Sequence, residues 1–240
     1  MQAVLLAAGL GSRLGSLTER IPKALITVGG EPLLAYAVRF AGRAGARDVT
    51  VVGGYGYELV EAEVARRRLP VTLVRNDAFR DGNLVSLMTA RPRLAPDDEL
   101  LVMNIDHIYR PAVAEIVARS ADDVTAFIDT DRTLGADDMK VERDGAGRVR
   151  RIAKTLETWD AGYVGMTKVP ASAWARYWAT ADAALAEEGR SIHVERVLAR
   201  LAATDRPPGC RDVSGHGWLE VDLPEERDRA EEALRVGVWS

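Results

Sequence analysis

Short apolar runs alternate with segments of helical periodicity along the first 106 residues, and this alternation constrains the fold more than any other feature. Strands are predicted at 4–6, 48–54, 71–76 and 99–106, and helices at 32–44, 58–68 and 86–94. Strands and helices that alternate at this pitch form parallel βαβ units with right-handed crossovers. The first half therefore predicts a parallel sheet covered by helices.

The second half has a different pattern. The segments 124–129, 139–154 and 161–169 predict antiparallel hairpins, and the second of these turns at Asp144-Gly145. Helices are expected at 170–188 and 192–202, then a late strand at 217–222 and a final helix opened by Pro224. We predict one α/β domain over 1–240: a Rossmann-like, mostly parallel sheet flanked by helices, with a small antiparallel β subdomain within 107–240.

Composition excludes several classes of function. Of the 240 residues 47% are hydrophobic and 28% charged, as in ordinary globular domains. The net charge of −4 and the lack of a long basic run argue against nucleic acid as a partner, and no apolar stretch reaches membrane-spanning length. The single cysteine, Cys210, forms no internal disulfide and builds no zinc site, which predicts a reducing cytoplasm.

The glycine-rich loop after the first strand matches neither common phosphate-binding pattern. Gly9 and Gly11 begin a G-x-G-x-x-G string, but Leu14 stands at its sixth position and no acidic residue ends the second strand. This argues against the alternative of a nicotinamide oxidoreductase. The P-loop string G-x-x-x-x-G-K-[ST] is absent from the sequence.

What remains is A-A-G-x-G-S-R, followed by Pro22-Lys23. Small residues let backbone amides approach an anion closely. Arg13 can bind two oxygens at once and Lys23 supplies a point charge, so together they suit a triphosphate and the charge that develops on leaving pyrophosphate. A structural turn with two solvated cations is the simpler alternative, and the clustering of these residues argues against it.

This loop resembles the signature of the sugar-nucleotidyltransferase superfamily, which transfers a nucleoside monophosphate from an NTP to a phosphorylated acceptor. Four further segments carry the resemblance. They are "NDAFRDGNLVSL" (76–87), similar to the nucleotide-holding segment of the cytidylyltransferase branches; "VMNIDH" (102–107) and "GWLEVDLPEERDRAEE" (217–232), similar to its two metal-binding strand ends; and 137–162, similar to the acceptor-side hairpin of inositol-1-phosphate cytidylyltransferases.

The resemblance implies a nucleotide-diphospho-sugar transferase fold whose 1–106 half binds nucleotide and whose 107–240 half binds the acceptor. It implies CTP as substrate and Mg²⁺ held by Asp106 and Asp222, since Mg²⁺ prefers oxygen ligands. Both aspartates end predicted strands, which we expect in one sheet. The predicted catalytic residues are Arg13, Lys23, Asp106 and Asp222, and the predicted nucleotide-binding residues are Leu6, Ala7, Ala8, Gly9, Gly11, Ser12, Arg13, Lys23, Asn76, Gly82, Asn83 and Ser86. Ser86 is alternatively expected to cap the following helix.

The acceptor side is predicted from the hairpin region. Lys140 and Lys154 lie on opposite strands and are expected to converge on the acceptor phosphate, with Asp129, Asp131 and Asp160 completing the acceptor set. Carboxylates suit the hydroxyls of a polyol, and with an aromatic face they suit an ammonium group. The acceptor therefore stays open between an inositol 1-phosphate-like polyol phosphate, an alkyl phosphonate and phosphocholine.

The sequence also departs from the inositol-phosphate branch. "AGYVGMTKV" and "NLVSL" look more like phosphonate cytidylyltransferases, and Leu223 replaces the usual threonine. Two alternatives remain: transfer from another NTP to a sugar 1-phosphate, and a non-catalytic nucleotide-binding regulatory module. His107 is expected to be a structural histidine. The cluster of Trp174, Tyr177 and Trp178 is typical of packing or a subunit interface, which leaves a homodimer open.

Overall fold

The computed structural model describes residues 1–119, 121–237 and 239, and within them the chain forms a mixed sheet covered by helices on both faces. The strands are β1 (Gln2–Ala7), β2 (Thr27–Val28), β3 (Glu31–Pro32), β4 (Asp48–Gly53), β5 (Thr72–Arg75), β6 (Leu100–Asn104), β7 (His107–Tyr109), β8 (Thr125–Asp129), β9 (Lys140–Arg143), β10 (Val149–Ala153), β11 (Ala161–Val169), β12 (Gly209–Asp212) and β13 (Trp218–Glu220). The helices are α1 (Leu33–Arg43), α2 (Tyr57–Arg67), α3 (Asn83–Ala90), α4 (Pro111–Ala118), α5 (Trp174–Glu188), α6 (Glu195–Ala202) and α7 (Pro224–Val236).

The main sheet has the order β10-β9-β11-β6-β1-β4-β5, while β8 pairs with β11 and β12 pairs with β8. The strands β6, β1, β4 and β5 are parallel, as the alternating pattern predicted. Strand β11 pairs antiparallel with β6 and also with β8 and β9. The fold prediction is thus confirmed, with one refinement: the antiparallel hairpin continues the main sheet through β11.

The core lies on both faces of this sheet because successive side chains of a strand point to opposite faces. On β1, Val4 and Leu6 belong to the core layer that includes buried residues of α3, α5 and α6, while Leu5 belongs to the opposite layer with those of α1 and α4. Tyr177 and Trp178 are fully buried in the first of these layers, so within this chain they serve packing. A homodimer and a cytoplasmic location stay predictions.

Several elements differ from the predictions. The pattern after Asp106 did not predict β7, α4 or β12, which are short and have no glycine or proline boundary at both ends. Helix α3 begins at Asn83, so Ser86 lies inside it and caps nothing. None of the helices in the described ranges has the length and apolar character needed to cross a membrane.

Candidate active site

The glycine-rich loop leads from β1 into a 3-10 helix (Ser12–Thr18) through a left-handed residue, Gly11, whose φ is +64°. A Cβ at Gly11 would lie 2.9 Å from Cβ of Lys23, so the loop packs directly on the lysine. The Thr18 hydroxyl donates to the Gly11 carbonyl at 2.8 Å. Within the described part of the chain, the amides of residues 9–13 donate to no protein group. They therefore form a row of free donors.

Lys23 is buried behind this loop, and its ammonium bridges two carboxylates from distant parts of the chain. Its Nζ lies 2.7 Å from Oδ2 of Asp106 and 2.6 Å from Oδ1 of Asp222, while the side chain is only 9% exposed. Arg13 donates to the other oxygen of Asp222 at 2.6 Å and lies 3.4 Å from Asp137. The structure thus brings together Arg13, Lys23, Asp106 and Asp222.

Mutual electrostatic support keeps these groups charged. Burial acts to lower the pKa of Lys23, but the two carboxylates outweigh burial and raise that pKa above its ordinary value. Burial acts to raise the pKa of Asp106 and of Asp222, but the charge and hydrogen bond of Lys23 act against it, together with His107 at Asp106 and Arg13 at Asp222, and the pKa values of both carboxyls are lowered. The cluster is therefore ionised at neutral pH.

His107 completes the surroundings of Asp106. Its Nδ1 lies 2.7 Å from Oδ1 of Asp106, and its ring stacks on Trp218 with the ring centres 5.2 Å apart. Gly165 has φ +73°, and a Cβ there would lie 2.7 Å from the imidazole ring. Burial acts to lower the pKa of His107, but Asp106 outweighs burial and raises it. His107 is packed from several sides, as expected of a structural histidine, and it fixes the aspartate.

Asp106 and Asp222 were predicted to end strands of one sheet, and this prediction is wrong. Asp106 follows β6 of the main sheet, whereas Asp222 follows β13, which pairs with β7 in a separate two-stranded ribbon. The chain turns back directly after Asp106 to form β7, and the amide of Val221 donates to the Asp106 carbonyl at 2.9 Å. The ribbon therefore carries Asp222 to the end of β6.

A cavity of about 290 Å³ opens beside the loop, and most of the residues predicted to bind nucleotide line it. These are Leu6, Ala8, Gly9, Gly11, Ser12, Arg13, Lys23, Asn83 and Ser86. Ala7, Asn76 and Gly82 do not line it. Asn76 is buried and donates from Nδ2 to the Ser86 hydroxyl at 2.9 Å, so it fixes a lining residue. A Cβ at Gly82 would lie 1.8 Å from the Ile192 carbonyl, so this position holds the segment before α6 against α3.

A second cavity of about 200 Å³ adjoins the first and shares Arg13, Asn83, Asn104, Asp106, His193 and Asp222 with it. Lys154 lines this second cavity, but the other predicted acceptor residues lie elsewhere. Lys140 is buried, and its Nζ donates to the carbonyls of Gly135 and Lys154 at 2.7 and 2.8 Å. Asp160 pairs with Arg143 on the surface. Hence the two lysines do not converge as expected.

Asp129 and Asp131 border a different cavity, of about 500 Å³, behind β13. Asp129 is buried and accepts from Nε1 of Trp218 at 2.6 Å and from the Asp131 amide at 2.7 Å. Its contacts hold the ribbon and the loop after β8 together.

Comparison with known proteins now identifies the family. Residues 3–204 match the MobA-like NTP transferase domain.

The chain belongs to the MobA-like NTP transferase family.

Two curated relatives are similar to this chain over nearly its whole length. The chain is 29% identical over 237 residues to "Bifunctional IPC transferase and DIPP synthase" of Aquifex aeolicus, covering 97% of this chain and 51% of that protein. It is 28% identical to "CMP-5'-(3-aminopropyl)phosphonate synthase" of Streptomyces rubellomurinus, covering 100% of this chain and 42% of that protein. The chain thus spans about half the length of the curated relatives it matches.

Solved structures show the same fold. The inositol-1-phosphate CTP transferase from T. maritima aligns with a TM-score of 0.81 at 20% identity, covering 99% of this chain and 97% of that one. The CTP:phosphocholine cytidylyltransferase of Streptococcus pneumoniae aligns with a TM-score of 0.79 at 24% identity, covering 97% and 98%. The resemblance inferred from the loop and strand-end motifs is confirmed.

The donor set of this NTP transferase domain suits a divalent cation. Asp106 and Asp222 already direct oxygens at one cationic centre, the Lys23 ammonium. Two carboxylates match a Mg²⁺ ion that keeps several water ligands. Among the described residues there is no cluster of three or more acidic, histidine or cysteine side chains arranged for a metal. The fit therefore rests on these two carboxylates and on oxygens from a bound nucleotide.

The cavity residues that the sequence reasoning missed include Asn104, Glu195 and Glu220. Asn104 and Glu220 end strands beside the aspartates, so the strand-end rule could have found them. Glu195 is the first residue of α6, and nothing in its sequence context predicts which strands that helix covers.

Proposed function

We propose that this chain is a Mg²⁺-dependent cytidylyltransferase that transfers CMP from CTP to a small phosphorylated or phosphonate acceptor and releases pyrophosphate. The observation that carries the proposal is the convergence of Arg13, Lys23, Asp106 and Asp222 at the junction of two cavities. The names of two relatives, a CMP-5'-(3-aminopropyl)phosphonate synthase and a choline-phosphate cytidylyltransferase, support cytidine as the base, and they leave the acceptor open.

The triphosphate would lie along the glycine-rich loop. The free amides of residues 9–13 offer donors to its oxygens, and the side chains of Arg13 and Lys23 offer positive charge. Charge builds on the leaving pyrophosphate as the α-phosphorus bond breaks, so cations fixed beforehand stabilise the transition state more than the ground state. Arg13 is already held in place by Asp222, which reduces the reorganisation that binding demands of this side chain.

The acceptor would enter the second cavity, where Lys154 can bind its phosphorus-bound oxygens. The attacking oxygen is already anionic, so the reaction needs no general base. The protein has to hold the acceptor anion and the α-phosphate in line and to neutralise their charge. When bound between Asp106 and Asp222, Mg²⁺ supplies further positive charge to the α-phosphate.

Pyrophosphate release tests the proposal. The purified chain would be incubated with Mg²⁺ and each of the four NTPs, against inositol 1-phosphate, phosphocholine, 2-aminoethylphosphonate and glucose 1-phosphate. We expect release with CTP and one acceptor class, and a CMP conjugate as the second product. Turnover with UTP and glucose 1-phosphate instead would support the sugar 1-phosphate alternative. Tight CTP binding with no turnover on any acceptor would favour a nucleotide-binding regulatory module.

A further inference from the structure

Glu195 is a buried carboxylate without a cationic partner, and it faces the second cavity, which we call the acceptor cavity. Its residue is 8% exposed, and it stands at the first position of α6. Oε1 accepts one long hydrogen bond, 3.4 Å from Nδ2 of Asn104. Nowhere in residues 1–119, 121–237 and 239 does a lysine, arginine or histidine form an ion pair with it, and Oε2 has no hydrogen-bond donor.

A carboxylate has two acceptor oxygens, and the protein supplies Glu195 with one long hydrogen bond. Because Glu195 lines the cavity, its remaining acceptor capacity is open to a bound ligand. A ligand that brings a positive charge or donors to Glu195 supplies what the protein itself does not.

Lys154 lines the same cavity and is a cation without a counter-charge. Its backbone carbonyl accepts from Lys140, but its own ammonium forms no ion pair with any residue that the structure describes. Every other carboxylate that lines the cavity lies within 4.0 Å of a lysine or arginine nitrogen, although Lys23, Arg13 and Arg132 each serve two of these carboxylates. Among the described lining residues, Glu195 is thus the carboxylate and Lys154 the lysine without an ion pair, and together they are the complement of a zwitterion.

The cavity also distinguishes kinds of positive group. Among the described residues that line the cavity, Tyr163 is the only phenylalanine, tyrosine or tryptophan, and its hydroxyl is bonded to Thr167 Oγ1 at 2.7 Å. A trimethylammonium group is best bound by several aromatic faces. A primary ammonium carries N–H donors that match carboxylate and amide oxygens, which Glu195 and Asn104 provide. A polyol phosphate would give Lys154 its counter-charge but would leave Glu195 without one.

We infer that the acceptor is a small phosphate or phosphonate that carries a primary ammonium group, and that Glu195 binds this ammonium while Lys154 binds the phosphorus-bound oxygens. The inference rests on the proposed function and narrows its acceptor to one chemical class. Glu195 is thereby a specificity residue remote from the reacting phosphorus.

The test uses Glu195→Gln, which keeps the shape of the side chain and removes its charge. The substrates are CTP with 2-aminoethylphosphonate, or with propylphosphonate, which replaces the ammonium by a methyl group. We expect the wild type to prefer 2-aminoethylphosphonate. We expect Glu195→Gln to lower kcat/KM for that substrate by about 30-fold or more, through KM, with kcat nearly unchanged and propylphosphonate turnover unaffected.

Glu187→Gln is the matched control, because Glu187 is 62% exposed on α5 and pairs with Arg200 away from the cavity. Its kinetics should equal those of the wild type, and CTP affinity should be unchanged in both variants. Equal loss by Glu195→Gln on both phosphonates would contradict the inference and indicate a structural role. Preference for inositol 1-phosphate or phosphocholine would overturn the inference while the proposed function stands. No turnover of CTP with any acceptor would overturn the proposed function itself.

Discussion

The nucleotide side and the acceptor side of this molecule were predicted by the same kind of reasoning, with different success. On the nucleotide side, Lys23 and Asp106 lie 83 residues apart in sequence, and their side chains are in contact. On the acceptor side, Lys140 turns into the protein and Asp160 outward to Arg143. Only Lys154 of the predicted acceptor set lines the acceptor cavity.

The difference follows from how each half of the sheet is built. The carboxyl ends of parallel strands meet at one edge, so residues that follow β1 and β6 are neighbours whatever their side chains do in detail. In an antiparallel hairpin, a shift of one residue in pairing moves a side chain to the opposite face. The pairing of β9 with β10 contains such a shift, between Val149 and Arg151. The strand order therefore fixes where a residue lies, while the register of strand pairing decides which face of the sheet its side chain takes.

The largest expected effect comes from removing one carboxylate of the nucleotide side. We expect Asp106→Asn to lower kcat/KM for pyrophosphate release by about 10³-fold or more, because metal-based charge stabilisation is worth several kcal/mol. Lys23 keeps its contact with Asp222, so the fold should persist. Steady-state kinetics and circular dichroism measure the two properties separately. A folded variant with the wild-type rate would show that Asp106 plays no part in the reaction.

The sequence predicts the residues at the ends of the parallel strands better than those that long-range packing brings to the site. The order of elements in the first half and the roles suggested for Arg13, Lys23 and Asp106 rest on local motifs at strand ends, which the sequence contains. Glu195 could not be found, because its place depends on α6 packing across β10, a contact between segments more than 40 residues apart that no local pattern encodes. The two-stranded ribbon that positions Asp222 escaped for the same reason.

We expect a smaller effect from competition between the Lys23 ammonium and a divalent cation for the carboxylates of Asp106 and Asp222. In this structure both carboxylates bind the Lys23 ammonium, which stands where a divalent cation would also be attracted. We expect the wild type to bind Mn²⁺ weakly alone and more tightly with CTP, whose phosphates draw Lys23 away. Lys23→Ala should bind Mn²⁺ alone at least about tenfold more tightly than the wild type, since a competing charge has been removed.

Electron paramagnetic resonance of free Mn²⁺ measures this affinity without any turnover. Lys154→Ala is the matched control: it removes the same charge from the adjoining cavity, and its ammonium forms no ion pair with the described residues. The control should bind Mn²⁺ much as the wild type does. Equal affinity in Lys23→Ala and the wild type would mean that the lysine and the metal do not share the two carboxylates.

The smallest expected effects distinguish Lys140 from Lys154, which the sequence analysis predicted would both bind the acceptor phosphate. Lys140→Met removes a buried ammonium and its two hydrogen bonds to the carbonyls of Gly135 and Lys154, so we expect the free energy of unfolding to fall by about 1–3 kcal/mol. Lys154→Met removes no internal contact of the ammonium, so its stability should match the wild type while the KM for the acceptor rises by about tenfold or more. Urea denaturation and acceptor titration at saturating CTP measure the two quantities. If Lys140→Met instead raised the acceptor KM with no loss of stability, the buried position of Lys140 would not describe the working site, and the hairpin would have to present that lysine to the acceptor after all.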